Sequence, residues 1–296
     1  MNFRTDLALE RHEIITDEDR QGISFESFEE GGMKISRITV KTKKAAQKLG
    51  KPEGRYSTLE IPFLKDSGDV RNDAIEIFAR EVSELLPEKG TVLVAGLGNK
   101  RITPDALGPE SIERLLATRH ITPEIAESIG FSHLRSVAGI IPGVLGNTGI
   151  ETAEILAGIT AKIKPSALIV IDALAARSTE RLGTTVQMSD TGVSPGAGVG
   201  NKRCRIDEKS MGVPVIAIGV PTVVDGVTMT LDFIEKAGIC VDGRIREDYL
   251  RGERGMMVTP KEIDSVISRA ATFIAMGINK AMQPHIPTDD LFAIMA

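Results

Sequence analysis

Residues 167–174, Ala-Leu-Ile-Val-Ile-Asp-Ala-Leu, set the fold of this chain. The run is short, continuous and rich in branched residues, with one carboxylate near its end. Two more runs match it: Thr-Val-Leu-Val-Ala-Gly-Leu-Gly at 91–98 and Val-Pro-Val-Ile-Ala-Ile-Gly-Val at 213–220. None alternates polar with apolar, so each reads as a strand covered on both faces. A weaker fourth run spans Arg135–Ile141. Helical patterns lie between them, at Pro109–Thr118, Gly149–Ile163 and Val223–Ala237. In the second, Ile150, Ala153, Ile155, Leu156, Ile159 and Ile163 share one face, with Glu151 and Glu154 in the first turn. Strands alternating with helices predict an α/β fold: a central, mostly parallel sheet flanked by helices. Chemistry in such sheets sits beyond the carboxyl ends of the strands.

The flanks read differently. Glu29-Glu-Gly-Gly32 is followed by the alternating Met33-Lys-Ile-Ser-Arg-Ile-Thr-Val40, which predicts an N-terminal β-containing arm. Lys41–Lys51 is basic and reads as a solvated face. Thr259 and Pro260 read as the cap and first position of a late helix. Residues 241–257 are polar and Arg-rich, and read as an exposed loop.

Composition excludes several classes. The 296 residues carry a formal net charge of −5, against bulk electrostatic binding to nucleic acid. Trp is absent and aromatics are 4%, too few for base-stacking platforms. No long apolar run or signal peptide is visible, so no membrane partner is expected. Two cysteines, Cys204 and Cys240, make no disulfide framework and point to a reducing compartment, the cytoplasm.

Two aspartates stand where chemistry belongs. Asp172 ends the apolar stretch Leu-Ile-Val-Ile, and a carboxylate there is costly unless it is paired or faces a cleft. Asp105 follows the first strand and precedes a helix, where capping is the plain structural alternative. A parallel sheet can bring both strand ends side by side. Two converging carboxyls can share one proton and serve as acid and base on a peptide bond. Gly96-Leu97-Gly98 begins like a dinucleotide fingerprint, but Arg101 stands at the third glycine position, so a close backbone turn is the better reading. Asp190-Thr-Gly192 matches the short signature of pepsin-like proteases without a second copy. The glycine-rich stretch after it reads as a loop lining the cleft, with Lys202 and Arg203 as anchors for an acidic substrate side chain. No CxxC or HExxH occurs, so neither a metal nor any other cofactor is expected.

Longer motifs carry a resemblance. Arg4-Thr-Asp-Leu-Ala8, Glu53-Gly-Arg-Tyr-Ser-Thr-Leu-Glu60, Gly96-Leu-Gly-Asn99, Thr103-Pro-Asp-Ala-Leu-Gly-Pro109 and Ile171-Asp-Ala-Leu-Ala-Ala-Arg177 occur in order. So do Ser189-Asp-Thr-Gly192, Gly198-Val-Gly-Asn-Lys-Arg203, the stretch from Gly212 to Asp225, and Met257-Val-Thr-Pro-Lys-Glu262. Over nearly its whole length the chain resembles the germination protease family of spore-forming bacteria. It is shorter than the Bacillus-type members, and an insertion between the strand at 213–220 and Met257 is missing. The resemblance implies an atypical aspartic endopeptidase without a metal, with a fold similar to the hydrogenase-maturation endopeptidases. It implies Asp105 and Asp172 as the catalytic pair. It implies small acid-soluble spore proteins as substrates, a homotetrameric zymogen, and the forespore or spore core as location. Residues 1–6 would be a propeptide cut between Asp6 and Leu7, because Thr5-Asp6-Leu7-Ala8 repeats the substrate pattern of Thr, acid, apolar residue, Ala. Residues 7–296 would form one protease domain with its core at about 85–240, and the short N-terminal segment would be mobile enough to reach a cleft. Two readings compete with this one. A metal-dependent maturation-type endopeptidase needs a histidine beside the carboxyls, with His120 and His133 as candidates. A non-enzymatic nucleotide-binding α/β module would use Gly96–Asn99.

Overall fold

The computed structural model describes residues 4–64, 70–128, 130–131, 133–196, 203–239 and 255–295. Among them nine strands form one sheet. They are β1 (Ile23–Glu30), β2 (Met33–Val40), β3 (Gly54–Glu60), β4 (Val92–Gly96), β5 (Val137–Ile140), β6 (Ala167–Ala176), β7 (Thr185–Ser189), β8 (Val215–Asp225) and β9 (Met257–Val258). The order is β1-β2-β3-β7-β8-β6-β4-β5, with β9 beside β8. The four apolar runs of the sequence are β4, β5, β6 and β8, and they are the strands that pair in parallel. From β8 the sheet continues antiparallel through β7, β3, β2 and β1.

The continuous apolar runs exist because both faces of these strands are covered. In β6, Ala167, Ile169 and Ile171 enter one core while Leu168 and Val170 enter the other. In β4, Val92 and Val94 divide from Leu93 and Ala95 in the same way. One core is closed by the helices Asn72–Ser83, Leu107–Glu113 and Ile263–Met282, the other by Thr152–Ile163. The larger core reaches β2 through Met33 and Ile35, well outside residues 85–240. Phe78 and Phe273 meet in it with ring centroids 5.0 Å apart.

Element boundaries differ from the sequence reading; the helix expected from Gly149 starts at Thr152. The helix expected over Val223–Ala237 is Gly226–Lys236, because β8 runs on to Asp225, whose carboxylate then caps the helix by accepting from Thr228 N at 2.9 Å. The helix expected from Pro109 is Leu107–Glu113 and stops before Thr118. Thr118 is buried, and its hydroxyl accepts from Val137 N at 3.0 Å. The late helix starts at Ile263, not Pro260. Thr259 donates its hydroxyl to Thr222 O at 3.0 Å and so is tied to β8 instead of capping. Of the stretch 241–257, all but the last three residues lie outside the described residues, and Met257 opens β9.

The β4→β5 crossover carries the helix Leu107–Glu113 on one face, and the return to β6 carries Thr152–Ile163 on the other. The winding direction therefore reverses between β4 and β6, at the switch point where open α/β sheets place their ligands.

Gly277 in the last long helix admits the Phe78 ring: a Cβ there would stand 2.1 Å from Phe78 Cδ1. Gly277→Ala should therefore cost about 1–3 kcal/mol of stability through overpacking. Denaturant unfolding should show the loss as a lower midpoint.

Candidate active site

β4 stops at Gly96, opposite Ile171, while β6 and β8 continue together past it. Asp172 is thus the first residue of β6 without a β4 neighbour. It is 8% exposed and accepts a hydrogen bond from Ala173 N at 3.0 Å. Asp105 ends a short 3-10 turn that folds back over the end of β4. Its Oδ2 accepts from Asn99 N at 2.7 Å, and its backbone O also accepts from Asn99 N, at 3.1 Å. Asp105 is therefore not the helix cap that the structural alternative described; Ala106 holds that position.

The glycines make this fold-back possible. Gly98 has φ +108°, and a Cβ on it would lie 2.1 Å from Asp105 O. A Cβ on Gly96 would lie 2.3 Å from Gly108 O. Gly96-Leu97-Gly98 is thus a close-approach turn, filled by the chain's own Asp105 loop.

Asp105 and Asp172 line one cavity of about 360 Å³, together with Asp6, Thr152, Ser194 and Arg203. A larger charged hollow around Arg177 and Arg181 holds neither aspartate. Burial pushes Asp172 well above the usual carboxylate range, and the charges of Asp105 and Asp6 push it further. Burial also raises Asp105, with the Asn99 N–H acting against the shift. Both carboxyls are raised, so the pair favours one retained proton between them.

The N-terminal arm is docked here rather than free. Leu7 is 0% exposed and packs with Leu174, Ala176, Leu182 and Val224. Asp6 N donates to Ala175 O at 2.8 Å, and Ala175 N donates to Asp6 Oδ2 at 2.9 Å. The Asp6 carboxylate is thus held by the backbone of β6. Arg203 lines the cavity, and Lys202 lies outside the described residues. Thr5 is buried and donates its hydroxyl to Glu10, whose carboxylate also accepts from Arg177 N at 2.6 Å and Ser178 N at 3.0 Å.

Two residues beside the arm had no signal in the sequence. Lys51, read with its neighbours as part of a solvated face, is half-buried, and its Nζ donates to Asp6 O at 2.6 Å. Gln187 of β7 donates Nε2 to the same oxygen at 3.1 Å and accepts from Ala8 N at 2.6 Å. Neither lies in a chemical motif, and only the pairing of β3 with β7 brings them together. Asp190 of the pepsin-like triplet is bound by Arg55, through N at 2.7 Å and Nε at 2.9 Å, on the surface. His120 and His133 are exposed and do not line the cavity. Among the described residues no group of three or more His, Cys, Asp or Glu side chains could hold a metal ion.

The switch-point cavity thus gathers a buried carboxyl, Asp172, a half-buried one, Asp105, and the docked Asp6. The family model of the germination proteases matches residues 4–238, and the chain belongs to that family. It is a protease of spore germination. It is 42% identical to the germination protease of Caldanaerobacter subterraneus subsp. tengcongensis, covering 98% of this chain and 97% of that one. It is 40% identical to the one of Clostridium perfringens, covering 98% of each. With the one of Halalkalibacterium halodurans it shares 36% identity over 361 aligned positions, 99% of this chain and 96% of that one. Among solved structures, a [NiFe] hydrogenase maturation protease from Thermococcus kodakarensis superposes with a TM-score of 0.38 at 18% identity, covering 67% of this chain and 98% of its own. No helix among the described residues is long and apolar enough to cross a membrane.

The raised pKa of Asp172 has a consequence for stability. A carboxyl that holds its proton more tightly when folded contributes stability that is full below the ordinary aspartate pKa of about 3.9. That contribution is lost as pH rises through the folded value. Asp172→Asn cannot ionise and can still accept from Ala173 N. It should melt above the wild type at neutral pH, and the two melting curves should converge below about pH 4.

Proposed function

We propose that the chain is an aspartic-type endopeptidase in which Asp105 and Asp172 activate water against a peptide bond. The observation that carries this reading is their shared cavity at the switch point, with the Asp6–Leu7 segment docked beside it. Asp105, ionised, takes a proton from water as its oxygen attacks the carbonyl carbon. Asp172, protonated, gives its proton to the departing nitrogen as the C–N bond breaks. Both acid and base are then side chains of the protein, and cleavage should survive exhaustive chelation.

On this reading the substrates are small acid-soluble spore proteins, and residues 1–6 are a propeptide that the chain removes from itself. The docked arm supports the second statement, since Asp6 lines the cavity and Leu7 packs next to it against Leu174. An incoming chain would present its acidic residue to Ala175 N, as Asp6 does, with Arg203 lining the cavity. The working form is a homotetramer in the forespore or spore core.

Asp105→Asn and Asp172→Asn should each stay folded and cleave a small acid-soluble spore protein at least ~10²-fold more slowly. Near-normal turnover by either would remove the pair from the mechanism. The rate should follow a bell in pH. Its acid limb falls as Asp105 gains a proton, and its alkaline limb falls as Asp172 loses one.

A further inference from the structure

The carbonyl of Asp6 is held in an unusual way. Within a sheet a main-chain carbonyl takes a main-chain N–H; this one takes two side-chain donors. Lys51 Nζ stands 2.6 Å from the oxygen and Gln187 Nε2 3.1 Å from it. The same Gln187 holds Ala8 N through Oε1, at 2.6 Å, so its amide spans the Asp6–Leu7 bond from one side to the other. The nitrogen of that bond lies outside any ladder, its N–H donating to Thr5 Oγ1 at 3.0 Å. Asp6, Lys51 and Gln187 share a second cavity of about 200 Å³ with Asp172. The Lys51 nitrogen is withdrawn from water, and that burial lowers its pKa.

We propose that Lys51 and Gln187 form the oxyanion site for hydrolysis of the Asp6–Leu7 bond. When the water oxygen bonds to the Asp6 carbonyl carbon, the carbonyl π pair moves onto the oxygen that these two donors already touch. A cation and an amide N–H fixed there in advance stabilise the developing negative charge without reorganisation. The charge returns as the C=O reforms and the C–N bond breaks, with the leaving nitrogen taking its proton from Asp172. The products are the Asp6 carboxylate and the free Leu7 amine, and nothing beyond water is consumed. This assignment rests on the aspartic reading above and adds donors to the carbonyl oxygen beside the base and acid given there.

The alternative is that Lys51 and Gln187 only anchor the arm. Two variants of the full chain separate these roles. Lys51→Met keeps the aliphatic stem and removes the donor. Gln187→Glu keeps the acceptor for Ala8 N and places an oxygen where the donor stood. The measurements are the rate at which the Leu7 terminus forms, by intact mass, and the hydrogen-exchange protection of the Ala8 amide. Each variant is expected to form the Leu7 terminus roughly 10²-fold more slowly or worse, the usual loss for one oxyanion donor. Ala8 should stay protected in both. Rates within about threefold of wild type in either variant would overturn the assignment. So would a loss of rate matched by a loss of Ala8 protection, the signature of an anchor. If the wild type forms no Leu7 terminus, or Asp105→Asn forms it as fast as wild type, the aspartic self-processing reading itself fails, and the oxyanion assignment with it.

Discussion

The arrangement depends on the burial of one carboxyl, Asp172, at the point where β6 outruns β4. A carboxylate taken out of water is costly, and the cheaper course is to keep the proton. Ala173 N–H offers the charged form one bond, while Asp105 and Asp6 oppose it with like charge. The result is an acid that stays protonated where an exposed aspartate would not. The turn that carries Asp105 is equally constrained, because Gly96, Gly98 and Gly108 bring two backbones to a distance that side chains would prevent.

The parallel half of the sheet was legible because its strands are apolar on both faces. A short run of branched residues, apolar at successive positions, fits a strand shielded from water on both sides better than any half-exposed element. Asp172 stood out as a carboxylate inside such a run, and Asp105 as one a short loop beyond another. The antiparallel half was harder to see. β2 shows alternation, but β3 and β7 are rich in Thr, Ser and Gln, and their sidedness depends on pairing with strands far away in sequence. Lys51 looked like one more lysine of a basic stretch. Its neighbours Lys41, Lys43, Lys44 and Lys48 are indeed exposed, and only the fold of the arm against β6 and β7 sets Lys51 apart.

The docked arm holds Asp6 in a way that its charge alone does not suggest. Charge complementarity suggested a basic partner from the glycine-rich loop. The structure instead gives the Asp6 carboxylate a main-chain N–H, at Ala175. A backbone donor at the end of a strand is rigid and unaffected by side-chain rotamers, so it selects an acceptor in one position more sharply than a long cation would. Glu10 accepts the Thr5 hydroxyl, with its own carboxylate fixed by the N–H groups of Arg177 and Ser178.

The helix Ile263–Met282 has a bearing on how the chain reaches this state. Ile267, Ala271, Phe273, Ile274 and Ile278 fill the larger core, against β-strands and against Phe78 from much earlier in the sequence. β3 likewise waits for β7. During synthesis the N-terminal strands therefore emerge long before their covering helix, with an apolar sheet face open to solvent. Long-range pairings of this kind slow folding and expose surface that can aggregate. The larger core closes only after the helix Ile263–Met282 has been made, long after the strands it covers have left the ribosome.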